Sequence, residues 1–250
     1  MKAIAISLLA LVLLSGSACT DVSVLVHQRS NRSGLTGTNC KLQRELPNEG
    51  QKTDFWCWAA SAHTVIEYMK REPVEQCNLV SAVFRSELDG IPLPNPTDLR
   101  PDCCMIVGRI PDVNDPDYDY IKAIDNVCGR NGSPEKVFNT EQFRMHFELY
   151  EYDLTNPGPQ GLTWEEIVAE ICADRPMISA ILYSLELGGG GHTVVIGGYN
   201  ELEDGSQWVH VYDPGYNTLE EDYYLWPYEV YLGQPGVFTH VRDYKNIYPL

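Results

Sequence analysis

The hydrophobic pattern of this chain changes from helical periodicity in its first half to strand-like runs in its second half. From Ala59 to Met69, apolar side chains recur at helical spacing, and Pro73 prevents this helix from continuing. After Pro176, short apolar runs rich in Val and Ile are separated by turn signals, as is typical of antiparallel strands. Helices followed by strands predict an α+β chain.

The periodicity also predicts where the individual elements lie. A capping box, Thr163-Trp164-Glu165-Glu166, begins one helix that ends before Pro176. The other predicted helices are residues 57–71, about 75–85, 121–128 and 140–148. The predicted strands are residues 177–183, 192–199, 207–213, 223–231 and 237–241. Residues 90–101, which contain four prolines, and the acidic and aromatic residues 114–120 are predicted to be loops.

Residues 1–18 have the pattern of an export signal, with a charged start, an apolar stretch and a small-residue end. The apolar stretch, residues 3–14, is too short to span a membrane as a helix. Cys19 follows directly, which predicts bacterial lipoprotein processing and a membrane tether through lipid on Cys19. Gly16 stands where that pattern usually has leucine, so ordinary cleavage after Ala18 remains an alternative. We expect an exported protein that is periplasmic, secreted or a membrane-anchored lipoprotein.

The chain after the signal divides into a polar lead-in and one domain. Residues 19–48 are polar and predict a tether, although a short strand at residues 22–26 and a propeptide role are alternatives. The domain covers residues 49–250. Its helical part is predicted at about residues 49–155 and its β-rich part at about residues 156–250.

Eight cysteines divide into one thiol, one lipidation candidate and an even remainder. Setting aside Cys57 and Cys19 leaves six cysteines, and an even set in an exported protein predicts disulfides. Sequence alone does not choose among the pairings. No CxxC spacing is present, so we expect no structural zinc site. The mechanism expected below also needs no metal or organic cofactor. The disulfide candidates are Cys40, Cys77, Cys103, Cys104, Cys128 and Cys172.

The net charge of −17 arises from 18 Lys and Arg against 35 Asp and Glu. Binding to a nucleic-acid backbone needs clustered positive charge, so we expect no nucleic-acid partner. The excess of acidic residues favours solubility, and steering of basic peptide substrates is an alternative. We expect a monomer.

Cys57 lies at the start of the first predicted helix, between Trp56 and Trp58 and six residues after Gln51. A thiol has a pKa of about 8.5, and its thiolate is the nucleophile. A helix N-terminus favours the thiolate through its dipole and its N–H groups. An upstream glutamine side chain can donate a hydrogen bond to an oxyanion beside the sulfur. The structural alternatives are that Cys57 forms a disulfide and that Gln51 is an ordinary surface residue.

Three stretches together resemble the bacterial papain-like cysteine peptidases. They are Gln51 with Cys57-Trp58-Ala59-Ala60-Ser61, then Gly191-His192-Thr193-Val194-Val195-Ile196-Gly197-Gly198-Tyr199, then Val211-Tyr212-Asp213-Pro214. This group includes bacteriocin leader-cleaving peptidases and secreted effector proteases of plant pathogens. The resemblance implies a papain-like two-lobed fold, with the active site in the cleft between a helical lobe and a β-sheet lobe. It also implies that Cys77 lies close to the Cys103-Cys104 pair.

Within this resemblance, His192 and Asp213 complete a Cys-His-Asp triad with Cys57. His192 lies 135 residues after Cys57, inside the interval of about 130–150 residues typical of papain relatives. Histidine is a general base near neutral pH, and a third polar group orients its ring. Asp213 ends the next predicted strand, although Asp213-Pro214-Gly215 is also an ordinary turn sequence.

The cleft is predicted to include Trp56, Trp58 and the glycines before His192. Gly190 and Gly191 allow a peptide backbone to approach closely, and a hairpin loop is the alternative explanation for them. The expected activity is hydrolysis of a peptide or protein substrate through a thioester on Cys57. Two alternatives remain: a papain-clan acyl transferase or amidase, of transglutaminase-like or cell-wall type, and a non-catalytic peptide-binding module.

Overall fold

A computed structural model describes residues 40–47, 49–94, 99–109, 112–155, 159–215 and 223–250. The helices in these residues are α1 Cys57–Lys70, α2 Gln76–Val83, α3 Arg85–Leu88, α4 Tyr118–Cys128, α5 Pro134–Phe138, α6 Trp164–Cys172 and α7 Tyr228–Tyr231. Short 3-10 helices cover Cys103–Ile106 and Leu185–Leu187. The strands are β1 Met145–Glu151, β2 Met177–Tyr183, β3 Gly191–Glu201, β4 Gln207–Tyr212, β5 Tyr224–Pro227 and β6 Phe238–Pro249. The export signal, Cys19 and the alternative strand at residues 22–26 lie outside the described residues.

Helix α1 is the buried helix of the fold. It ends as predicted at Lys70, where Arg71 adopts a left-handed conformation with φ of 60° and donates its N–H to the Glu67 carbonyl. Nearly every side chain from Cys57 to Tyr68 is buried, because α1 packs against α2 and α5 on one side and against β3 on the other. A helix that is covered on several sides needs small or apolar residues nearly all round, as its Ala-rich start provides.

Three disulfides connect the elements around α1. Cys77–Cys104 joins α2 to the 3-10 helix Cys103–Ile106, as the resemblance implies. Cys103–Cys128 joins the same 3-10 helix to the end of α4, so the adjacent cysteines bond to different helices. Cys40–Cys172 joins the lead-in to the end of α6. All six disulfide candidates therefore form disulfides.

The second half forms a six-stranded antiparallel sheet with the order β1-β6-β2-β3-β4-β5. Strand β3 is buried along almost its whole length, because α1 and α6 both pack against it. β2 and β3 pair with Ile181 opposite His192, and β3 and β4 pair with Val195 opposite Tyr212. Helices together with this sheet confirm the predicted α+β class.

Two predicted elements are wrong. Residues 140–148 were predicted to be helical, but Met145–Glu151 is β1, which pairs with β6 along one edge of the sheet. Met145 and Phe147 lie two residues apart, as apolar residues on one face of a strand do. The segment is short, so its pairing with β6 decides its conformation. Residues 223–231 were predicted to be one strand, but β5 ends at Pro227, which has no N–H for a further ladder bond, and α7 follows.

The capping box of α6 is confirmed in detail. The Thr163 hydroxyl accepts from the Glu166 N–H, and the Glu166 carboxylate accepts from the Thr163 N–H at 2.8 Å. No helix in the described part of the chain combines the length and the apolar character needed to cross a membrane. Within the same residues, no group of three or more His, Cys, Asp or Glu side chains is arranged to hold a metal ion.

The Cys103–Cys128 disulfide is expected to contribute strongly to stability, because both cysteines are fully buried and 25 residues apart. We predict that the double substitution Cys103→Ala and Cys128→Ala lowers the free energy of unfolding by about 3 kcal/mol. Denaturant unfolding measures it. A decrease of less than about 1 kcal/mol in the free energy of unfolding would contradict this prediction, because the disulfide would then restrict the unfolded chain very little.

Candidate active site

Cys57 is the first residue of α1 and is 4% exposed. Its position is set by Trp56, which is fully buried and donates its indole N–H to the Cys128 carbonyl at 2.8 Å. No side chain caps this helix end, so the α1 N-terminus presents its backbone N–H groups beside Cys57. Among the cysteines that the structure describes, Cys57 alone stands outside the disulfides.

His192 and Asp213 form a buried hydrogen-bonded pair between β3 and the end of β4. The His192 Nε2 atom lies 2.7 Å from Asp213 Oδ1, and each side chain is 4% exposed. The same carboxylate oxygen accepts the Gly215 N–H at 2.8 Å. A Cβ atom at position 215 would lie 3.2 Å from Asp213 Oδ1 and 3.6 Å from His192 Cε1. The Asp213-Pro214-Gly215 sequence is therefore both a turn and the support of the His192 ring.

A hydrogen bond joins α1 to β3 beside these residues. Ser61, one helical turn after Cys57, donates its hydroxyl to the Thr193 carbonyl at 3.0 Å. Ser61 is fully buried, and Thr193 directly follows His192. The bond therefore fixes the register of the Cys57 helix against the His192 strand.

Cys57 and His192 line one cavity of about 230 Å³. The helical part of the chain supplies Cys57, Trp58 and the segment that leads into α5, and the sheet supplies the opposite wall. The Tyr183 ring stacks near the His192 ring, with 6.1 Å between centroids. The lining residues are Cys57, Trp58, Asn131, Gly132, Ser133, Pro134, Ala180, Ile181, Gly191, His192, Thr193, Val241, Arg242 and Tyr244.

Gln51 reaches this region through its backbone. Its N–H donates to the Pro214 carbonyl at 2.7 Å, so the segment before α1 is joined to the turn that contains Asp213. Cys57 and His192 line the same cavity, whereas Gln51 and Asp213 are not among its lining residues. Asp213 bonds to His192, and Gln51 is joined by its N–H to Pro214, the residue after Asp213.

Comparison with known proteins identifies the family. The sequence profile of the Peptidase_C39-like family matches residues 43–234, which include all of the motifs above. The chain belongs to the Peptidase_C39-like family. This membership confirms the resemblance to the papain-like bacterial cysteine peptidases.

Two further comparisons accompany this family match. The chain is similar to a solved structure of xylellain, a cysteine protease from Xylella fastidiosa, at 13% sequence identity and a TM-score of 0.45. That similarity covers 92% of this chain and 93% of the xylellain chain. No curated protein sequence matches the chain.

Two residues predicted for the cleft of this C39-like chain are not at the cavity wall. Trp56 is fully buried in the core, where its indole supports the start of α1. Gly190 belongs to the β2–β3 loop, in which Gly188, Gly189 and Gly190 all have positive φ. The glycine run is therefore required by the turn, as the alternative explanation proposed. Trp58 and Gly191, the other two cleft residues, do line the cavity.

Two walls of the cavity that contains Cys57 were not predicted from the sequence. Gly132 packs on the Trp58 indole so closely that an added Cβ would lie 2.5 Å from the ring. Pro134 in the first turn of α5 was the available signal for a helix start. On β6, Arg242 pairs with Glu135 at 2.8 Å, and the Tyr244 hydroxyl donates to the same carboxylate. No local sequence pattern indicates that β6 reaches the cavity.

Two other buried histidines, His210 and His240, lie in different surroundings. Burial, and then the charge of Lys41, lowers the pKa of His210 to about 4, and its ring stacks on Tyr223. His240 is fully buried beside Asp243, 3.3 Å away; burial lowers the pKa of His240, but the Asp243 carboxylate outweighs burial and raises it. Neither His210 nor His240 lines the cavity that contains Cys57.

We predict that Ser61→Ala lowers the free energy of unfolding by about 1 kcal/mol, because a buried hydrogen bond is lost. Peptide cleavage should fall as well, since the bond sets the register between α1 and β3. Thr64→Ala is the matched control, because Thr64 donates to the Pro47 carbonyl at 2.9 Å from the same helix. Thermal unfolding and a cleavage assay measure the two effects. Equal activity losses in the two variants would contradict the prediction.

Proposed function

We propose that this chain is an exported papain-like cysteine peptidase that hydrolyses peptide bonds through a thioester on Cys57. The observation that carries the proposal is the shared cavity of Cys57 and His192, with the His192 ring held from behind by Asp213. A thiol at a helix N-terminus and a histidine across the same cavity are the parts that thiol-based acyl transfer requires.

The hydrogen bond of His192 supports a separate role for each ring nitrogen. Because Nε2 bonds to Asp213 Oδ1, Nδ1 is the atom that exchanges a proton with Cys57. The carboxylate fixes the tautomer and stabilises the imidazolium that forms. Burial of both side chains strengthens this interaction, since little water screens it.

The reaction then proceeds in two steps, which are formation of the thioester and its hydrolysis. The Cys57 thiolate attacks the carbonyl carbon, and the resulting oxyanion accepts hydrogen bonds from the Gln51 side chain and the Cys57 backbone N–H. His192 donates its proton to the leaving amine as the C–N bond breaks and the thioester remains. His192 next takes a proton from water, which attacks the thioester. The carboxylic acid leaves and the Cys57 thiolate is restored with His192 protonated.

The cysteines support the exported part of the proposal. Three disulfides join six of the described cysteines, and such bonds persist in oxidising compartments. Together with the signal-like residues 1–18, this favours a periplasmic or secreted protein or a lipoprotein lipidated on Cys19. The substrate is a peptide or protein that enters the cavity beside Cys57.

We predict that Cys57→Ala and His192→Ala each lower peptide cleavage by roughly 10³-fold or more, because each removes an essential group. His146→Ala is the control, since His146 lies on β1 against Tyr248 and does not line the cavity. A quenched fluorescent peptide library measures cleavage. Undiminished cleavage by Cys57→Ala would overturn the proposal. Isopeptide formation or muropeptide cleavage without proteolysis would instead favour an acyl transferase or amidase.

Thiol reactivity gives a second test that needs no known substrate. We predict that iodoacetamide alkylates native Cys57 at pH 6, where an ordinary thiol of pKa about 8.5 is almost entirely protonated. In His192→Ala the reaction at pH 6 should slow at least tenfold, because the partner of the thiolate is gone. Mass spectrometry of the alkylated peptide follows the rate. Wild-type reactivity that rises only near pH 8.5 would contradict an activated thiol.

A further inference from the structure

We propose that Gln76 is the positioning residue of the oxyanion site, acting through Gln51. The inference rests on the proposed function, because it assumes that the Gln51 side chain donates to the oxyanion. Gln76 is the first residue of α2 and does not line the cavity. Its role therefore concerns the backbone that carries Gln51 and involves no contact with substrate.

The Gln76 carboxamide bonds to both residues that flank Gln51. Its Nε2 donates to the Gly50 carbonyl at 2.6 Å, and its Oε1 accepts the Lys52 N–H at 3.1 Å. The side chain is 1% exposed, so water does not compete for these bonds. A carboxamide has one donor end and one acceptor end, which is what an N–H and a C=O two residues apart require.

Both peptide groups that flank the Gln51 Cα are thereby fixed. Gln76 holds the Gly50 carbonyl and the Lys52 N–H, and the Pro214 carbonyl accepts the Gln51 N–H at 2.7 Å. Gly50 has φ of 67°, a left-handed conformation that suits glycine and turns the chain into this segment. The Gln51 side chain then has only its own rotatable bonds left to vary.

The position of Gln76 is itself determined by covalent structure. The next residue, Cys77, bonds to Cys104, so the first turn of α2 cannot move away from the 3-10 helix that contains Cys104. The connection runs from this disulfide through Gln76 to the backbone of Gln51. Hydrogen-bond donors for an oxyanion must be held within about 0.5 Å of their working positions. Gln76 supplies that constraint on the helical side, and Pro214 supplies it on the sheet side.

The test compares Gln76→Met, which keeps the side-chain length and removes both hydrogen bonds, with Gln51→Ala and the double variant. We expect Gln76→Met to lower kcat about 10- to 100-fold. This fall does not exceed the one expected when an oxyanion donor is removed. KM should change less than threefold. In the Gln51→Ala background the same substitution should lower kcat less than threefold, because its effect passes through Gln51.

Alkylation of Cys57 by iodoacetamide is the second readout. This displacement forms no oxyanion, so Gln76→Met should alkylate at the wild-type rate while peptide cleavage falls. Gln160→Ala is the matched control, since Gln160 is also a buried glutamine that donates to a backbone carbonyl, that of Asp153, at 2.7 Å. It should retain wild-type kcat. If Gln76→Met does not fold, Gln76→Glu replaces it, because the carboxylate keeps the acceptor for Lys52 and removes the donor to Gly50.

Two results would overturn the role of Gln76. One is a loss of kcat in the double variant that equals the product of the losses in the two single variants. The other is an equal fall of peptide cleavage and of Cys57 alkylation in Gln76→Met, which indicates a general structural effect. Failure of the proposed function looks different. In that case, Cys57→Ala retains cleavage or Gln51→Ala retains full kcat, whatever Gln76→Met does. If both of those variants lose activity and Gln76→Met does not, the positioning role alone fails.

Discussion

The packing of α1 against β3 is the interaction on which the other features of this molecule depend. The helix carries Cys57 and the strand carries His192, and no covalent link near the site joins them. Their relation is set by buried apolar contact and by the hydroxyl of Ser61, which bonds to the strand beside His192. Ala59 and Ala62 are fully buried, and small side chains let a helix pack closely against its neighbours. The cavity lies where the helix begins and the strand begins.

Those parts of the candidate site whose structure is local could be predicted from the sequence. The start of α1 at Cys57, the strand that begins beside His192 and the turn after Asp213 all carry short-range signals. The capping box and the division of the cysteines into a thiol and disulfide partners could also be predicted from the sequence. The family match over residues 43–234 agrees with the resemblance, and the observed helices and sheet agree with the predicted α+β class.

Long-range pairing determines what the sequence did not reveal. Met145–Glu151 forms a strand through its pairing with β6, and the alternation of apolar residues within it is too short to predict that pairing. The cavity walls at Gly132 and Arg242 lie far from Cys57 in the chain and become neighbours only when the sheet closes on the helices. The bonds from Gln76 to Gly50 and Lys52 likewise connect a helix start to a loop, and no periodicity predicts such a contact.

The order of the strands leaves β1 and β5 at the two edges of the sheet. An edge strand with unpaired backbone groups is a template for aggregation. Here β5 is only four residues long and ends in Pro227, and β1 exposes Glu148 and Glu151 to solvent. The charged side chains of β1 discourage edge-to-edge association with a second sheet. The short length and the proline of β5 do the same at the other edge. These two edge strands therefore give the folded protein resistance to fibril formation through its sheet.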